Sequence, residues 1–340
     1  MGLVVRRLSA HGGTERFTLG FARALVAAGH DVTVHCRGAD LDVPGVCVAP
    51  LDGWAGRGRV VKAALLERAA ARVPRGSAGV TIGFLRAPGF DVLRAGGGAH
   101  AAWMDGRAPG LADRQELARD ARALRSAGRV VFNSEMARRD ALAHHPLAPE
   151  RVHVVRNGVD LVRFQPDTCP APGRRILFIG HGWTRKGLHT ALAALAHLPG
   201  CRLGVVGGDP RPGRFHRAAV ALGVADRVDW LGAIDRVEAL LPQALALVLP
   251  TRYDPSANVC LEAMACGVPV VTSGRDGAGE ILPEPWQVVS HPDDAEGFAG
   301  ALDRVLQTPS LRAASRVAAE AWPESRAHRA LAHLAGVDLP

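Results

Sequence analysis

Short apolar runs alternate with segments whose apolar residues recur every three or four positions, and the alternation continues along nearly the whole chain. Residues 3–7 read as a strand, residues 9–13 as a loop of small and polar residues. Phe17, Phe21, Ala24, Leu25 and Ala28 then follow at helical spacing. Gly29 stops that helix, and Val32, Thr33 and Val34 open a second strand. A βαβ unit of this length implies a parallel sheet. Further strands are expected at 80–84, 92–94, 129–132 and 152–155. The second half repeats the pattern: strand 175–179, helix 186–197 with Leu188, Leu192 and Leu195 on one face, strand 203–206, helix 211–222, strands 228–231 and 246–249, helix 255–265 and strand 268–272. The expected fold class is α/β, with two Rossmann-like doubly wound domains facing a central cleft. The domains are placed at 1–163 and 174–324, joined by a linker at 164–173 that holds Pro166, Pro170 and Pro172. A C-terminal helix at 325–340 is expected to pack back toward the first domain. In such sheets, ligands bind at the carboxyl ends of the strands and at helix N-termini.

Composition narrows the classes. The chain has 340 residues and is 48% hydrophobic, enough for two cores. Its longest apolar run, 240–249, is broken by Pro242 and Gln243 and falls short of the roughly 20 residues a membrane span needs. The first residues lack a secretory pattern, so a cytoplasmic location is expected. The six cysteines form no C-x-x-C pair and find no histidines at zinc-ligand spacing, so they are read as reduced apolar residues.

Charge is uneven. Residues 1–165 carry 24 Arg/Lys against 15 Asp/Glu, whereas residues 166–340 carry 17 against 18. No zinc finger or aromatic-interleaved basic stretch supports nucleic acid as a partner. An anionic membrane or glycolipid is a second reading, with Arg119, Arg122, Arg125 and Arg129 as candidate contacts beside Leu117, Ala121 and Leu124. A solvated charged surface is the third.

The segment from Arg252 to Gly267 is the most informative. Asp254 and Glu262 are separated by seven residues, and Pro255 suits a first helical turn with Asp254 as its N-cap. Eight residues of helix rise about 12 Å, comparable to the distance from a sugar ring to a ribose across a diphosphate. On that reading Asp254 accepts from sugar hydroxyls and Glu262 from ribose hydroxyls, while the N–H groups of Ser256, Ala257 and Asn258 meet the phosphates between them. The competing reading makes Asp254 only a cap and Glu262 a solvated helix residue. Arg185 and Lys186 follow a strand and open a helix, a position where cations oppose the dipole unless an anion sits between. Gly12 and Gly13 end the first strand and would let a ligand approach the backbone, or would simply turn the chain.

The carboxylate, seven-residue, carboxylate spacing resembles the retaining family 4 glycosyltransferases. Gly12-Gly13-Thr14-Glu15-Arg16, Gly96-Gly97-Gly98-Ala99-His100, Asn157-Gly158-Val159-Asp160 and Arg185-Lys186-Gly187 resemble the same family in the right order, over about residues 3–310. The wording around Tyr253-Asp254-Pro255 is most similar to the bacterial lipopolysaccharide core glucosyltransferases. Two departures stand out: Asp254 replaces the family's usual Glu, and Gly97 stands where many relatives have an acid.

The resemblance implies a GT-B fold and retention at the anomeric carbon. The donor nucleotide would bind the second domain and the acceptor the first. Arg185 and Lys186 would bind the diphosphate and stabilise the leaving group, and His100 would lie near the donor sugar unless it is structural. The loop opened by Gly232 would lie by the nucleobase. Glu280 would either orient the sugar or cap a helix. No cofactor is expected. The co-substrate would be a nucleotide diphosphate sugar, with a UDP-sugar as the expected donor and a glycan or glycolipid such as lipopolysaccharide core as acceptor. No Asp-x-Asp metal motif occurs in a suitable loop, so a metal-independent reaction is expected. The rivals are a same-fold epimerase or phosphorylase and a non-catalytic glycan- or lipid-binding relative. No Gly-x-Gly-x-x-Gly follows a strand, which argues against a dehydrogenase.

Overall fold

The computed structural model describes residues 1–10, 12–51, 59–73, 79–104, 106–167 and 174–340, with backbone only at 59, 60 and 62. The chain forms two compact units, Met1–Arg156 with Glu324–Pro340, and Asn157–Pro323.

The first unit is built on seven described strands: β1 (Gly2–Val4), β2 (Val32–Cys36), β3 (Val46–Pro50), β4 (Thr81–Gly83), β5 (Val92–Arg94), β6 (Arg129–Phe132) and β7 (Val152–Val154). All pair in parallel, in the order β3-β2-β1-β4-β5-β6-β7. The second unit holds six: β8 (Arg175–Ile179), β9 (Arg202–Val206), β10 (Val228–Gly232), β11 (Ala246–Leu249), β12 (Val270–Ser273) and β13 (Val288–Val289). Their order is β10-β9-β8-β11-β12-β13, again parallel throughout. Strands covered on both faces read as unbroken apolar runs, and β11 is buried along its whole length. β3 escapes the sequence reading. It is an edge strand, half exposed, ending on a proline that no neighbour asks for a hydrogen bond.

Ala327, Leu331 and Ala332 of the helix Glu324–Leu334 join Leu3, Phe21 and Leu25 in the first core. The division between units falls at Arg156/Asn157, not at the expected 163/164. Val159 and Phe164 are buried in the second core, and the Val159 N–H donates to the Trp322 carbonyl at 3.0 Å. That pairing ties the segment to residues far along the chain, which local proline content does not reveal. Residues 168–173 of the expected linker lie outside the described residues.

Two expected helices are corrected. The helix expected at 186–197 is two, Trp183–Lys186 and Leu188–Ala196, separated by Gly187 at φ 80°. A side chain there would be strained, and its Cβ would overlap the Pro250 carbonyl. The helix expected from 255 begins at Asn258.

The arginines assigned to a membrane face do not form an unpaired basic stripe. Arg119 pairs with Glu67 and Glu116, Arg122 pairs with Glu67, and Arg129 donates to the Leu334 carbonyl at 3.1 Å. Glu116 lies one turn from Arg119 on the same helix, whereas Glu67 and the Leu334 carbonyl come from other elements that spacing within one helix cannot show. Among the described residues, no helix is long and apolar enough to cross a membrane.

Candidate functional site

In the second sheet the chain moves outward in one direction from β8 and in the other from β11, so these neighbours form its topological switch point. Ligands of doubly wound sheets bind beyond the carboxyl ends of the strands at such a point. The loops there carry Arg185 and Lys186 after β8, and Asp254 to Asn258 after β11. The two loops are fastened to each other: the Arg252 N–H and the Thr251 hydroxyl both donate to the Arg185 carbonyl, at 2.8 and 3.1 Å.

Asp254 is the centre of this arrangement. One carboxylate oxygen accepts from Lys186 Nζ at 2.6 Å and from Arg185 Nη1 at 3.0 Å, and the other from the Ser256 N–H at 3.2 Å. Asp254 and Lys186 are buried, and Gly180 leaves room for the lysine stem. Burial works to raise the Asp254 pKa, but the charges of Lys186 and Arg185 overcome it and hold the carboxyl below its usual range. A phosphate entering here would compete with Asp254 for the two cations.

Asp254 is therefore not the helix cap. The N-cap of the helix Asn258–Ala265 is Ala257, which offers no side chain. The expectation that Ser256, Ala257 and Asn258 present three open N–H groups is corrected as well. Ser256 donates to Asp254, and Ala257 donates to Asp276 at 3.1 Å. The first helical turn, where N–H groups lack intrahelical acceptors, lies at Asn258 and Val259. Because the helix starts late, only part of the Asp254-to-Glu262 separation is helical. Glu262 is buried within the helix, not a solvated residue on its face. Asn157 braces the entry to the helix, donating to Asn258 Oδ1 at 2.5 Å and to the Ser256 carbonyl at 3.2 Å.

Asp276, at the end of β12, was not singled out in the sequence. Its one oxygen accepts from the N–H groups of Ala257 and Ala278, and its other from the Thr272 hydroxyl and the Cys260 thiol. It caps the 3₁₀ turn Gly277–Ile281, so Glu280 is not the cap. The available signal was its place just past an apolar run, the same signal that drew attention to Asp254.

Burial, and then the Asp254 charge, push the Asp276 carboxyl up to about 6. An acid whose folded pKa is raised binds more protons folded than unfolded between roughly pH 4 and 6, so stability falls as pH rises through that window. The span is worth at most about 3 kcal/mol. His328, in the other unit, is pulled down to about 4, first by burial and then by Arg94, and acts in the opposite sense. The test is thus the difference between wild type and Asp276→Asn, whose amide oxygen can still accept from both N–H groups. Relative to wild type, the variant should gain thermal stability on moving from pH 5 to 7.5. An unchanged difference across that range rules out the raised pKa.

The remaining expected residues are placed as follows. Gly232 ends β10 at φ 67°, with open space where a side chain would project. In the first unit, Gly12 is the N-cap of the helix Gly13–Ala27 at φ 91°, with the Glu15 carboxylate folded against it, and Gly13 opens the helix. Residue 11 of that loop lies outside the described residues. His100 opens the helix His100–Met104; its N–H donates to Asp120 at 2.6 Å and its Nε2 lies 3.0 Å from Asp113. The histidine thus has an orienting carboxylate, and neither Asp113 nor Asp120 was anticipated. Among the described residues, no group of three His, Cys, Asp or Glu side chains is arranged to hold a metal.

Residues 11–163 match the profile of Glycosyltransferase Family 4, and residues 173–308 that of Glycosyl transferases group 1. A glycogen synthase of Mycobacterium tuberculosis is 36% identical over 171 residues, 47% of this chain and 41% of the relative. The lipopolysaccharide core biosynthesis glycosyltransferase LpsE of Rhizobium meliloti is 33% identical over 144 residues, 42% of each chain. The matched segment thus spans about two fifths of these curated relatives. The structure of WaaG, a glycosyltransferase involved in lipopolysaccharide biosynthesis, superposes with TM-score 0.83 at 22% identity, over 98% of this chain and 99% of that one. Anabaena HepE in complex with UDP and glucose gives TM-score 0.75 at 16% identity over 98% of each. The fold is therefore GT-B.

Proposed function

The chain belongs to glycosyltransferase family 4, and from that membership we propose that it moves a hexose from a UDP-sugar to a glycan or glycolipid acceptor, with retention at the anomeric carbon. The observation that carries the proposal is the Lys186–Asp254–Arg185 cluster at the switch point of the second sheet, with Glu262 buried in the helix beyond it. In this reading the diphosphate displaces Asp254 from the two cations. Lys186 and Arg185 then neutralise the charge that builds on the leaving group, and Asp254 turns to the sugar hydroxyls. Glu262 takes the ribose, and the turn at Asn258 and Val259 contributes N–H groups to the phosphates. Gly232 borders the base. In the first unit, Gly12 and Gly13 would serve donor binding, and the Asp113-oriented His100 the reacting centre.

The lipopolysaccharide core names of LpsE and WaaG support a cell-envelope glycolipid as acceptor. UDP in the HepE structure supports a uridine donor. The proposal places the enzyme in the cytoplasm, meeting such an acceptor at the inner face of the membrane.

A thermal-shift screen against UDP-, GDP- and ADP-sugars tests the donor. A UDP-sugar at 100 times its Kd should stabilise the protein by about 2.7 kcal/mol. No shift with any nucleotide would remove the donor site. Release of UDP should depend on added acceptor, whereas acceptor-independent turnover would favour an epimerase. With two cations in place of a metal, excess chelator should leave the initial rate unchanged. A loss restored by magnesium or manganese would refute that part of the mechanism.

A further inference from the structure

Four donors converge on Asp276, a side chain 3% exposed just past β12. The Ala257 and Ala278 N–H groups lie 3.1 and 3.0 Å from one oxygen. The Thr272 hydroxyl lies 2.9 Å and the Cys260 thiol 3.5 Å from the other. The Thr272 oxygen is also 2.9 Å from the Leu249 carbonyl. A hydroxyl has one hydrogen to donate. If Asp276 is ionised, one of these two short oxygen–oxygen contacts of Thr272 holds no hydrogen. If Asp276 is protonated on the oxygen facing Thr272, it donates to Thr272, Thr272 donates to Leu249, and both contacts are filled. The arrangement thus suits a carboxylic acid.

We propose that Asp276 is a positioning residue of the donor site, and that it takes up one proton from solvent when a donor diphosphate binds Lys186 and Arg185. The proposal rests on the glycosyltransferase reading and adds a pH dependence to its donor site.

Asp276 holds the loop that carries Asp254. The Asp254 N–H donates to the Arg275 carbonyl and the Gly277 N–H to the Asp254 carbonyl, both at 2.9 Å. Asp254 and Asp276 are thereby neighbours in a short parallel bridge. The Asp276 side chain also fixes Ala257, the N-cap of the helix Asn258–Ala265. Its charge is felt at both ends of the turn between the cations and the helix.

Charged and titratable groups surround it. Lys186, on the helix Trp183–Lys186, favours the ionised form, and Asp254, after β11, opposes it. Cys260 faces it from the helix Asn258–Ala265, and burial keeps that thiol protonated. Arg275, next in the chain, lies over the Tyr253 ring at 5.4 Å from its centroid, and Glu280 is exposed. In the unliganded protein Lys186 and Arg185 balance Asp254. A diphosphate that takes these cations brings negative charge and leaves Asp254 uncompensated. An ionised Asp276 would be a further buried negative charge beside it, and a proton removes that repulsion. The carboxyl is already pushed up to about 6, so a modest further rise carries it through neutral pH. A group that binds its proton more tightly in the complex makes affinity fall as pH rises between its free and bound pKa values.

Calorimetric titration with UDP-glucose from pH 6 to 8 tests this. Its diphosphate is esterified at both ends and does not titrate in that range, so pH acts on the protein. Wild-type affinity should fall about fivefold or more across the range, the consequence of one proton held about tenfold more tightly in the complex. In Asp276→Asn the amide nitrogen can donate to Thr272 as the protonated acid does, so at pH 8 this variant should keep the affinity that wild type has at pH 6. Asp276→Ala, which lacks both acceptors, should bind weakly at every pH. Infrared difference spectra at pH 7.5 should show the carbonyl stretch of a protonated carboxylic acid appearing with UDP-glucose in wild type and not in Asp276→Asn. A flat wild-type profile, an equal fall in wild type and Asp276→Asn, or no new carboxylic acid in the infrared spectrum overturns the proposal. Failure of wild type to bind UDP-glucose at any pH removes the donor reading itself, and the coupling with it.

Discussion

Replacing Lys186 with alanine should lower kcat/KM by roughly 30-fold to several thousand-fold, the kinetic equivalent of losing a desolvated charge contact worth about 2–5 kcal/mol. Lys186 is buried, its stem runs along Gly180, and its ammonium is 2.6 Å from Asp254. Water cannot easily take its place. Arg185, whose side chain is more exposed, keeps a second cation at the same carboxylate. Its presence sets the lower end of the range. The substitution also leaves Asp254 with one partner in a buried site, and breaking such a pair costs up to about 3–5 kcal/mol of stability. Kinetics should therefore be measured well below the variant's melting temperature, with the folded fraction checked by circular dichroism. Near wild-type turnover in a folded Lys186→Ala protein would mean that the diphosphate binds elsewhere.

The same cluster shows where sequence reading succeeds and where it stops. Strands 129–132, 175–179 and 246–249 were legible to the residue because each is a buried apolar run, opened by an arginine in the first two and stopped by Pro250 in the third. Arg185, Lys186, Asp254 and Glu262 could be singled out because each lies just past such a run or at a fixed spacing from one that does. The bond between Asp254 and Lys186 could not, since it joins residues 68 positions apart. Local rules assigned Asp254 to the next helix as a cap, because Asp followed by Pro has that preference. The two cations outbid the helix for the carboxylate, and the helix starts three residues later than its proline suggested. Asp276 then takes over the Ala257 N–H that a cap would have shared. The pairing of Arg119 and Arg122 with Glu67 was hidden for a related reason. Their environment is set by neighbours distant in sequence.

Asp254→Asn and Glu262→Gln should separate binding from turnover. In the unliganded protein Asp254 occupies the cations that a diphosphate needs. Removing its charge takes away a competitor, so Asp254→Asn should bind UDP as well as wild type or more tightly. Turnover of the full sugar donor should nevertheless fall by about tenfold or more, since a hydrogen bond to a charged group contributes about 1.5–3 kcal/mol and the sugar loses it. Some stability should be lost as well, because Lys186 is left beside a neutral amide in a buried site. The partners of the Asp254 carboxylate are Lys186, Arg185 and the Ser256 N–H, so converting Glu262 to Gln should leave those bonds in place. It should weaken UDP and UDP-sugar binding alike, by a similar factor, through the ribose. Calorimetry with UDP, alongside kcat and KM for the donor, distinguishes the two. Parallel loss of UDP affinity in both variants would show that Asp254 and Glu262 hold the same part of the ligand, and the exchange of Asp254 for phosphate at Lys186 would have to be abandoned.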